Sequence, residues 1–378
     1  MLSNIFGVSK RFKLLMVCVL LPIFLSTSTL NAQLFRDSAT LNLIKKDIDC
    51  IYSMKFTNAQ EIYLKIKKSH PEHPVLFLLR GMQTYWKNYP LLSTSPAHVS
   101  FEEDLRQCIK LSGKNKVPAY EAEYLLANLC ARGMLLEYYN ENDMTMEVIS
   151  LATSTYGNLR HAFAFTNTCT DLQYYTGVYN YYREAYPKAN PGYKPLVFLL
   201  PSGNMKAGLT ELHNAAVNSV MLRAEAYYLL AGIYLNFENK YQQSVYYCKT
   251  LCKLYPDNVV YLALYIKNLL LLKQYDEAEK LIITSQKEIE NKYYQAQLNI
   301  FLGILQEKKY HNNNLAEQYY NSGISKVSLF STYGDECKAY AYFGLSRISN
   351  TKGENAKAKQ LRGKAMKLVT FEKINFDK

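Results

Sequence analysis

The histidines are the residues of this chain best suited to acid–base or metal chemistry, and only two of the six lie close together. His70 and His73 occur in the segment Ser-His-Pro-Glu-His-Pro, whose two prolines interrupt any helix. A zinc site requires a third ligand, and the neighbouring sequence offers none. We therefore predict a turn between helices here, and we interpret His161 as a packed or groove-lining residue rather than a catalytic base.

The cysteines could carry redox or metal chemistry, but their arrangement does not favour it. Beyond position 32 they are scattered and odd in number, unlike the disulfide framework of a small secreted domain. Only Cys248 and Cys252 lie one helical turn apart. Because a free cysteine is more often a small buried hydrophobe than a ligand, we predict that this pair fills a core.

Motifs of common enzyme classes are missing from the sequence. It contains no Gly-x-Ser-x-Gly, no His-Glu-x-x-His and no phosphate-cradling glycine loop. Pairs of acids carry no specific information in a chain with 32 Asp and Glu. We predict a protein that is not an enzyme and that uses neither a cofactor nor a metal.

Tyrosine is the most distinctive residue type, with 34 among 378 residues, and it is concentrated in the segment DLQYYTGVYNYYREAYP. Consecutive helical positions point about 100° apart, so adjacent tyrosines cannot all face one core. Some could face a partner, for which a rigid ring with a hydroxyl is well suited. The alternative is that these rings pack between helices or against the proline-rich segment that follows.

The first 32 residues have the pattern of a secretory signal peptide. A basic stretch (Lys10, Arg11 and Lys13) precedes an apolar run from Leu14 to Leu25, and small and polar residues follow up to Ala32. An uncleaved anchor is the alternative, but the run is shorter than the ~20 residues that span a bilayer. We predict cleavage near Ala32 and a periplasmic or extracellular protein, with at most an indirect association with membrane.

The charge balance is basic, but it does not indicate a nucleic-acid partner. Without the three basic residues of the first 32 positions, 41 Lys and Arg face 32 Asp and Glu. A surplus of this kind is usually a solvated surface. Export also argues against nucleic acid, so we expect none as a partner.

A repeated spacing of small and apolar residues indicates pairs of helices. In residues 224–256, Ser244, Cys248 and Leu251 fall on one stripe of a second helix, and Pro256 lies beyond its end. The same spacing recurs elsewhere: Ala59/Tyr63/Ile66, Gly208/Leu212/Ala215, Ala278/Ile282/Ser285, Ala316/Tyr320/Gly323 and Ala358/Arg362/Ala365. Small residues near the middle of the preceding helices, which would let two helices approach closely, are Gly177, Ala231, Gly303 and Gly344.

These residues resemble the tetratricopeptide repeat (TPR), and the segment AEAYYLLAGIYLNFENKYQQSVYYCKTLCKLYPDN matches it best. The resemblance implies an all-α fold, a right-handed superhelix of about eight helix pairs that complete one another's core. We predict a single TPR-like domain over residues 33–378. Irregular insertions are expected at residues 87–100 and 186–203, where the repeat pattern is lost and prolines accumulate.

In the TPR family the first helix of each pair lines a concave face. The resemblance therefore implies a binding surface on either side of the mid-helix small residues. The positions concerned are Glu121, Tyr124, Asn128, Arg132, Asp171, Tyr174, Tyr181, Tyr182, Glu225 and Tyr228.

Two functions remain open from the sequence. The first is a non-enzymatic scaffold or adaptor of the bacterial cell envelope, which binds a partner protein or peptide in a tyrosine-rich concave groove. The second is a receptor for a glycan or small molecule that uses the same groove. An open groove would favour the first, and a pocket walled by residues 186–203 would favour the second.

Overall fold

The computed structural model describes residues 37–114, 117–288, 290–369, 371 and 373–377. Residues 33–378 form one compact unit. The predicted signal peptide and its cleavage point lie outside the described residues. Within these ranges all regular structure is helical and there is no strand, which confirms the all-α prediction. None of the described helices is long and apolar enough to cross a membrane.

Successive helices pack against each other in pairs, as the spacing predicts. The paired helices are α1 (Ser38–Tyr52) with α2 (Phe56–Ser69), α3 (Pro74–Lys87) with α4 (Ala97–Ser112), α5 (Glu121–Glu141) with α6 (Thr145–Ala162), α7 (Leu172–Ala189) with α9 (Met205–Asn218), α10 (Arg223–Asn236) with α11 (Tyr241–Leu254), α12 (Val259–Leu271) with α13 (Tyr275–Glu288), α14 (Lys292–Lys308) with α15 (Asn313–Val327), and α16 (Asp335–Thr351) with α17 (Asn355–Leu368). The four-residue helix α8 (Lys194–Val197) lies between α7 and α9.

Side chains that precede several of the helices fix where those helices begin. Asn258 accepts hydrogen bonds from the backbone N–H groups of Val260 and Tyr261 and so caps α12. The predicted turn at the histidine pair is confirmed: α2 ends at Ser69, directly before His70, and His73 caps α3 just before a proline in its first turn. Caps of this kind satisfy backbone donors that no helical carbonyl can reach.

Glycines allow the later helix pairs to pack closely. The buried ring of Tyr320 lies between Gly303 on α14 and Gly344 on α16. A Cβ at Gly303 would come within 2.6 Å of this ring, and one at Gly344 would come closer still. Gly177 on α7 likewise faces Gly208 on α9. The prediction that these mid-helix glycines mark close approach is confirmed.

The first four residues of the segment 186–203 complete α7, and the remainder folds back along this helix. The hydroxyl of Tyr179 donates to the carbonyl of Pro201 at 2.6 Å, and Arg183 donates to the carbonyl of Leu200 at 3.1 Å. The backbone N–H of Gly203 donates to Glu184 at 3.0 Å. The segment is therefore fixed along α7.

Helices far apart in the sequence meet in the interior of this unit. The Tyr52 hydroxyl on α1 donates to Glu225 on α10 at 2.6 Å, and Asn258 donates to the Tyr52 carbonyl at 3.0 Å. Farther along, Asn291 donates to the carbonyl of Tyr89 at 2.9 Å. These contacts join the first helix pairs to later ones.

Candidate ligand-binding chamber

Five tyrosines from separate parts of the chain surround a cavity of about 400 Å³, which we call the tyrosine chamber. They are Tyr85, Tyr89, Tyr228, Tyr293 and Tyr333. The Tyr89 ring, just beyond α3, lies 6.3 Å from the Tyr293 ring and 5.9 Å from the Tyr333 ring, measured between centroids. The Tyr293 hydroxyl donates to the backbone carbonyl of Tyr333, which fixes the 3-10 segment Ser328–Gly334 against α14. The wall is thus aromatic and internally braced.

Two carboxylates of the chamber have no partner. Glu137 and Glu141 lie one turn apart on α5, and neither side chain makes a hydrogen bond or ion pair with a described residue. By accessible surface Glu137 is exposed and Glu141 is partly buried. Partial desolvation by the protein atoms around the Glu137 carboxyl, followed by the charges of Glu225 and Glu141, raises the pKa of Glu137 to about 8. Burial, with Glu336 and Asp335, also raises the pKa of Glu141.

A third carboxylate of the chamber is neutralised. Lys267 on α12 donates to both carboxylate oxygens of Glu336 at 3.1 Å, and Tyr340 donates to Glu336 at 2.6 Å. Burial alone would raise the pKa of Glu336, but the charge of Lys267 together with the hydrogen bonds from Tyr340 and Lys267 outweighs burial and lowers the pKa. The chamber acids that lack a partner among the described residues therefore lie on the α5 side.

A second cavity of about 310 Å³ adjoins the first, and Glu137 lines both. We call it the apolar chamber, because its walls include Trp86, Met134 and Tyr174. Its other acid is Glu225, which accepts the hydrogen bond from Tyr52 and whose pKa is raised by burial. Glu137 thus lies between the tyrosine chamber and the apolar chamber.

Four of the residues predicted as a site lie together, but in a separate, open cleft between α5 and α6. They are Glu121, Tyr124, Asn128 and Arg132. Arg132 donates to Asn128 at 2.8 Å and to Ser154 at 2.8 Å. Asn158 also donates to Asn128, at 2.8 Å. The polar groups at the centre of this cleft therefore largely satisfy one another.

The remaining predicted residues are dispersed. Tyr174 and Glu225 line the apolar chamber and Tyr228 lines the tyrosine chamber. Asp171 is buried and accepts hydrogen bonds from the backbone N–H groups of residues 220, 221 and 222, just before α10. Tyr181 is fully buried, and its hydroxyl donates a hydrogen bond to Glu238 at 2.7 Å. It therefore has no exposed surface for a partner. Tyr182 packs against Phe237.

No protein-family model matches this chain, and no curated protein matches it either. The site must therefore be judged on its own geometry. Among the residues that the structure describes, no group of three or more His, Cys, Asp or Glu is placed to hold a metal ion.

Apart from Tyr228, the residues that line the tyrosine chamber were not predicted from the sequence. Glu137 and Glu141 follow the predicted cleft residues on the same long helix, five and nine residues beyond Arg132. Their i, i+4 spacing was visible in the sequence. Their significance was not, because it depends on rings that come from α10, α14 and the segment 328–334.

Proposed function

We propose that this protein is a non-enzymatic binding protein whose tyrosine chamber holds the cationic group of a ligand. The observation that carries the proposal is the pair of unpartnered carboxylates, Glu137 and Glu141, beside aromatic rings. An ammonium or guanidinium group is attracted by carboxylates and by the faces of tyrosine rings. Desolvation, followed by the charges of Glu225 and Glu141, raises the pKa of Glu137, and a bound cation would offset both causes.

The size of the chamber limits what can enter. A cavity of about 400 Å³ suits a small molecule or one side chain of a partner, and not a long peptide. The cation could therefore be a free amine, or a lysine, arginine or chain terminus of a partner protein in the cell envelope. Binding of a partner protein would be the scaffold function expected from the sequence, with a single cationic group of the partner entering the chamber.

The architecture that we propose is a right-handed superhelix of about eight TPR-like repeats within a single domain of residues 33–378. Two observations support it: successive helices pair along the chain, and glycines with the repeat spacing lie at close helix contacts. The predicted signal peptide supports a place in the periplasm or outside the cell.

Calorimetric titration of residues 33–378 tests the ligand class. The probes are cadaverine, a short peptide with one central lysine and blocked ends, and neutral maltotriose. We expect a cationic probe to bind and Glu137→Gln to weaken its binding by about tenfold to a hundredfold, since a charge-assisted hydrogen bond contributes about 1.5–3 kcal/mol. Glu61→Gln, an exposed acid on α2, is the matched control and should leave the affinity unchanged.

The pattern of binding separates the sources. Cadaverine that binds as well as the peptide indicates a free amine, and binding of the peptide alone indicates a partner side chain. Because the cation binds the ionised form of Glu137, affinity should rise with pH up to about 8. Equal affinity in the Glu137→Gln variant, or binding of maltotriose alone, would contradict the proposal.

A further inference from the structure

The tip of segment 186–203 carries the two most exposed large apolar side chains in the described part of the chain. The side chain of Phe198 is 82% exposed and that of Leu199 is 87% exposed, and the two are adjacent in sequence. Single apolar residues are common on protein surfaces, but two adjacent, protruding ones form a patch that favours removal from water. The repeat pattern does not account for them, because they lie between helices.

This tip is fixed in its exposed position. Leu200 and Pro201, directly after it, accept the hydrogen bonds from Arg183 and Tyr179 described above. Prolines at positions 191, 195 and 201 restrict the backbone further. Because the backbone next to them is held in place, the side chains of Phe198 and Leu199 stay exposed to solvent.

The charged residues within the segment 186–203 are lysines, and the nearby Glu184 is paired with Arg183 and with the backbone N–H of Gly203. Lys188, Lys194 and Lys206 are all exposed, and no Asp or Glu lies between positions 185 and 210. Exposed apolar side chains flanked by lysines suit a surface with anionic groups on the outside and an apolar layer beneath them. That is the arrangement of an anionic lipid membrane at its headgroup region.

We propose that Phe198 and Leu199 insert into the headgroup region of an anionic membrane while the neighbouring lysines bind lipid phosphates. The tip protrudes, and a lipid surface accepts protruding side chains without a matching shape, whereas a protein partner would have to supply a complementary cavity. Insertion to this depth needs no spanning helix. No residue of the segment 186–203 lines the tyrosine chamber, so this contact is distinct from the proposed cation site.

Vesicle co-sedimentation of residues 33–378, the compact unit, tests this contact. The vesicles are phosphatidylcholine alone and phosphatidylcholine with phosphatidylglycerol. The test variant is Phe198→Ser with Leu199→Ser. The matched control is Met146→Ser with Val217→Ser, which removes two side chains exposed by 74% and 66% elsewhere on the surface. Circular dichroism and melting temperature verify that each variant is folded.

We expect the wild type to bind the anionic vesicles, to bind neutral vesicles far less, and to be released by high salt. The test variant should bind at least about tenfold more weakly, since two large side chains no longer leave water, and the control should bind like the wild type. In a separate Phe198→Trp variant, tryptophan emission should shift to the blue with anionic vesicles. Equal binding by the test and control variants, no binding by the wild type, or an unshifted Trp would overturn the proposal and point to a protein partner or a bare surface.

Discussion

Asp47 on α1 shows how burial alone can set the charge of a single residue. It is fully buried, and neither carboxyl oxygen has a hydrogen-bond partner among the described residues. Burial raises the pKa of Asp47 to about 8. At neutral pH the residue is therefore protonated in the folded protein and ionised in the unfolded one, so folding takes up a proton.

The pH dependence of stability follows with a definite sign. Below about pH 4, Asp47 is protonated in both the folded and the unfolded protein. Between about pH 4 and pH 8 it is protonated only in the folded protein, so the free energy of unfolding falls by up to about 1.4 kcal/mol for each unit of rising pH. Asp47→Asn removes this contribution, so its free energy of unfolding should fall less steeply with rising pH than that of the wild type. Urea denaturation from pH 5 to pH 8 measures the two slopes.

The control for this experiment is Asp257→Asn, because Asp257 is exposed. It should retain the wild-type slope. A slope of Asp47→Asn identical to the wild type would show that Asp47 is ionised in the folded protein, against its burial.

Single residues also show where sequence analysis reaches its limit. The abundance of tyrosine correctly drew attention to aromatic surfaces, but the pattern could not tell a lining ring from a packed one. Tyr181 is buried, and its hydroxyl donates a hydrogen bond to Glu238, 57 positions later in the sequence. Tyr174, on the same helix, lines the apolar chamber instead. The difference lies in partners that local spacing does not encode.

At the scale of helices, the glycine contacts give a sharp test of packing. Gly344 lies against the Tyr320 ring, whose hydroxyl donates to Glu307 at 2.7 Å. Gly344→Ala places a methyl group into that ring, and we expect a loss of about 1–3 kcal/mol in the free energy of unfolding. Chemical denaturation measures it.

Gly232 supplies the matched control, because it is also within a helix and a Cβ there would meet nothing within 4 Å. Gly232→Ala should be neutral or stabilising by about 0.5–1 kcal/mol, as expected from helix propensity. If both substitutions had the same effect, the close approach of α14, α15 and α16 at Tyr320 would be wrong.

The helices were the most predictable level of the structure. The recurring small residues predicted helix pairs and close contacts, since both depend on residues a few turns apart. The TPR resemblance placed the predicted α5 residues in the first half of that helix, from Glu121 to Arg132, because it implies a groove around a mid-helix small residue. It gave no reason to consider the second half, where Glu137 and Glu141 face the chamber.

At the scale of the whole unit, the cavities exist because distant helices meet. Tyr52 and Glu225 are separated by 173 positions, and Asn291 and Tyr89 by 202. A local repeat pattern specifies contacts between neighbouring pairs and carries no information on such long-range ones. The sequence therefore predicted the helix pairs but left open whether the predicted binding surface was an open groove or a closed pocket.

The central claim is that this long-range packing holds Glu137, near Glu225 and Glu141, without a cationic partner among the described residues, in a chamber where a bound cation would favour its ionised form. The most direct measurement is an NMR titration of residues 33–378 labelled with ¹³C at the glutamate carboxyl carbons, with the Glu137 signal assigned by its loss in Glu137→Gln. We predict that Glu137 titrates near pH 8 in the free protein and at lower pH with saturating cadaverine or the lysine peptide. Titration near the ordinary glutamate pKa of about 4.3, unchanged by either cation, would contradict the account.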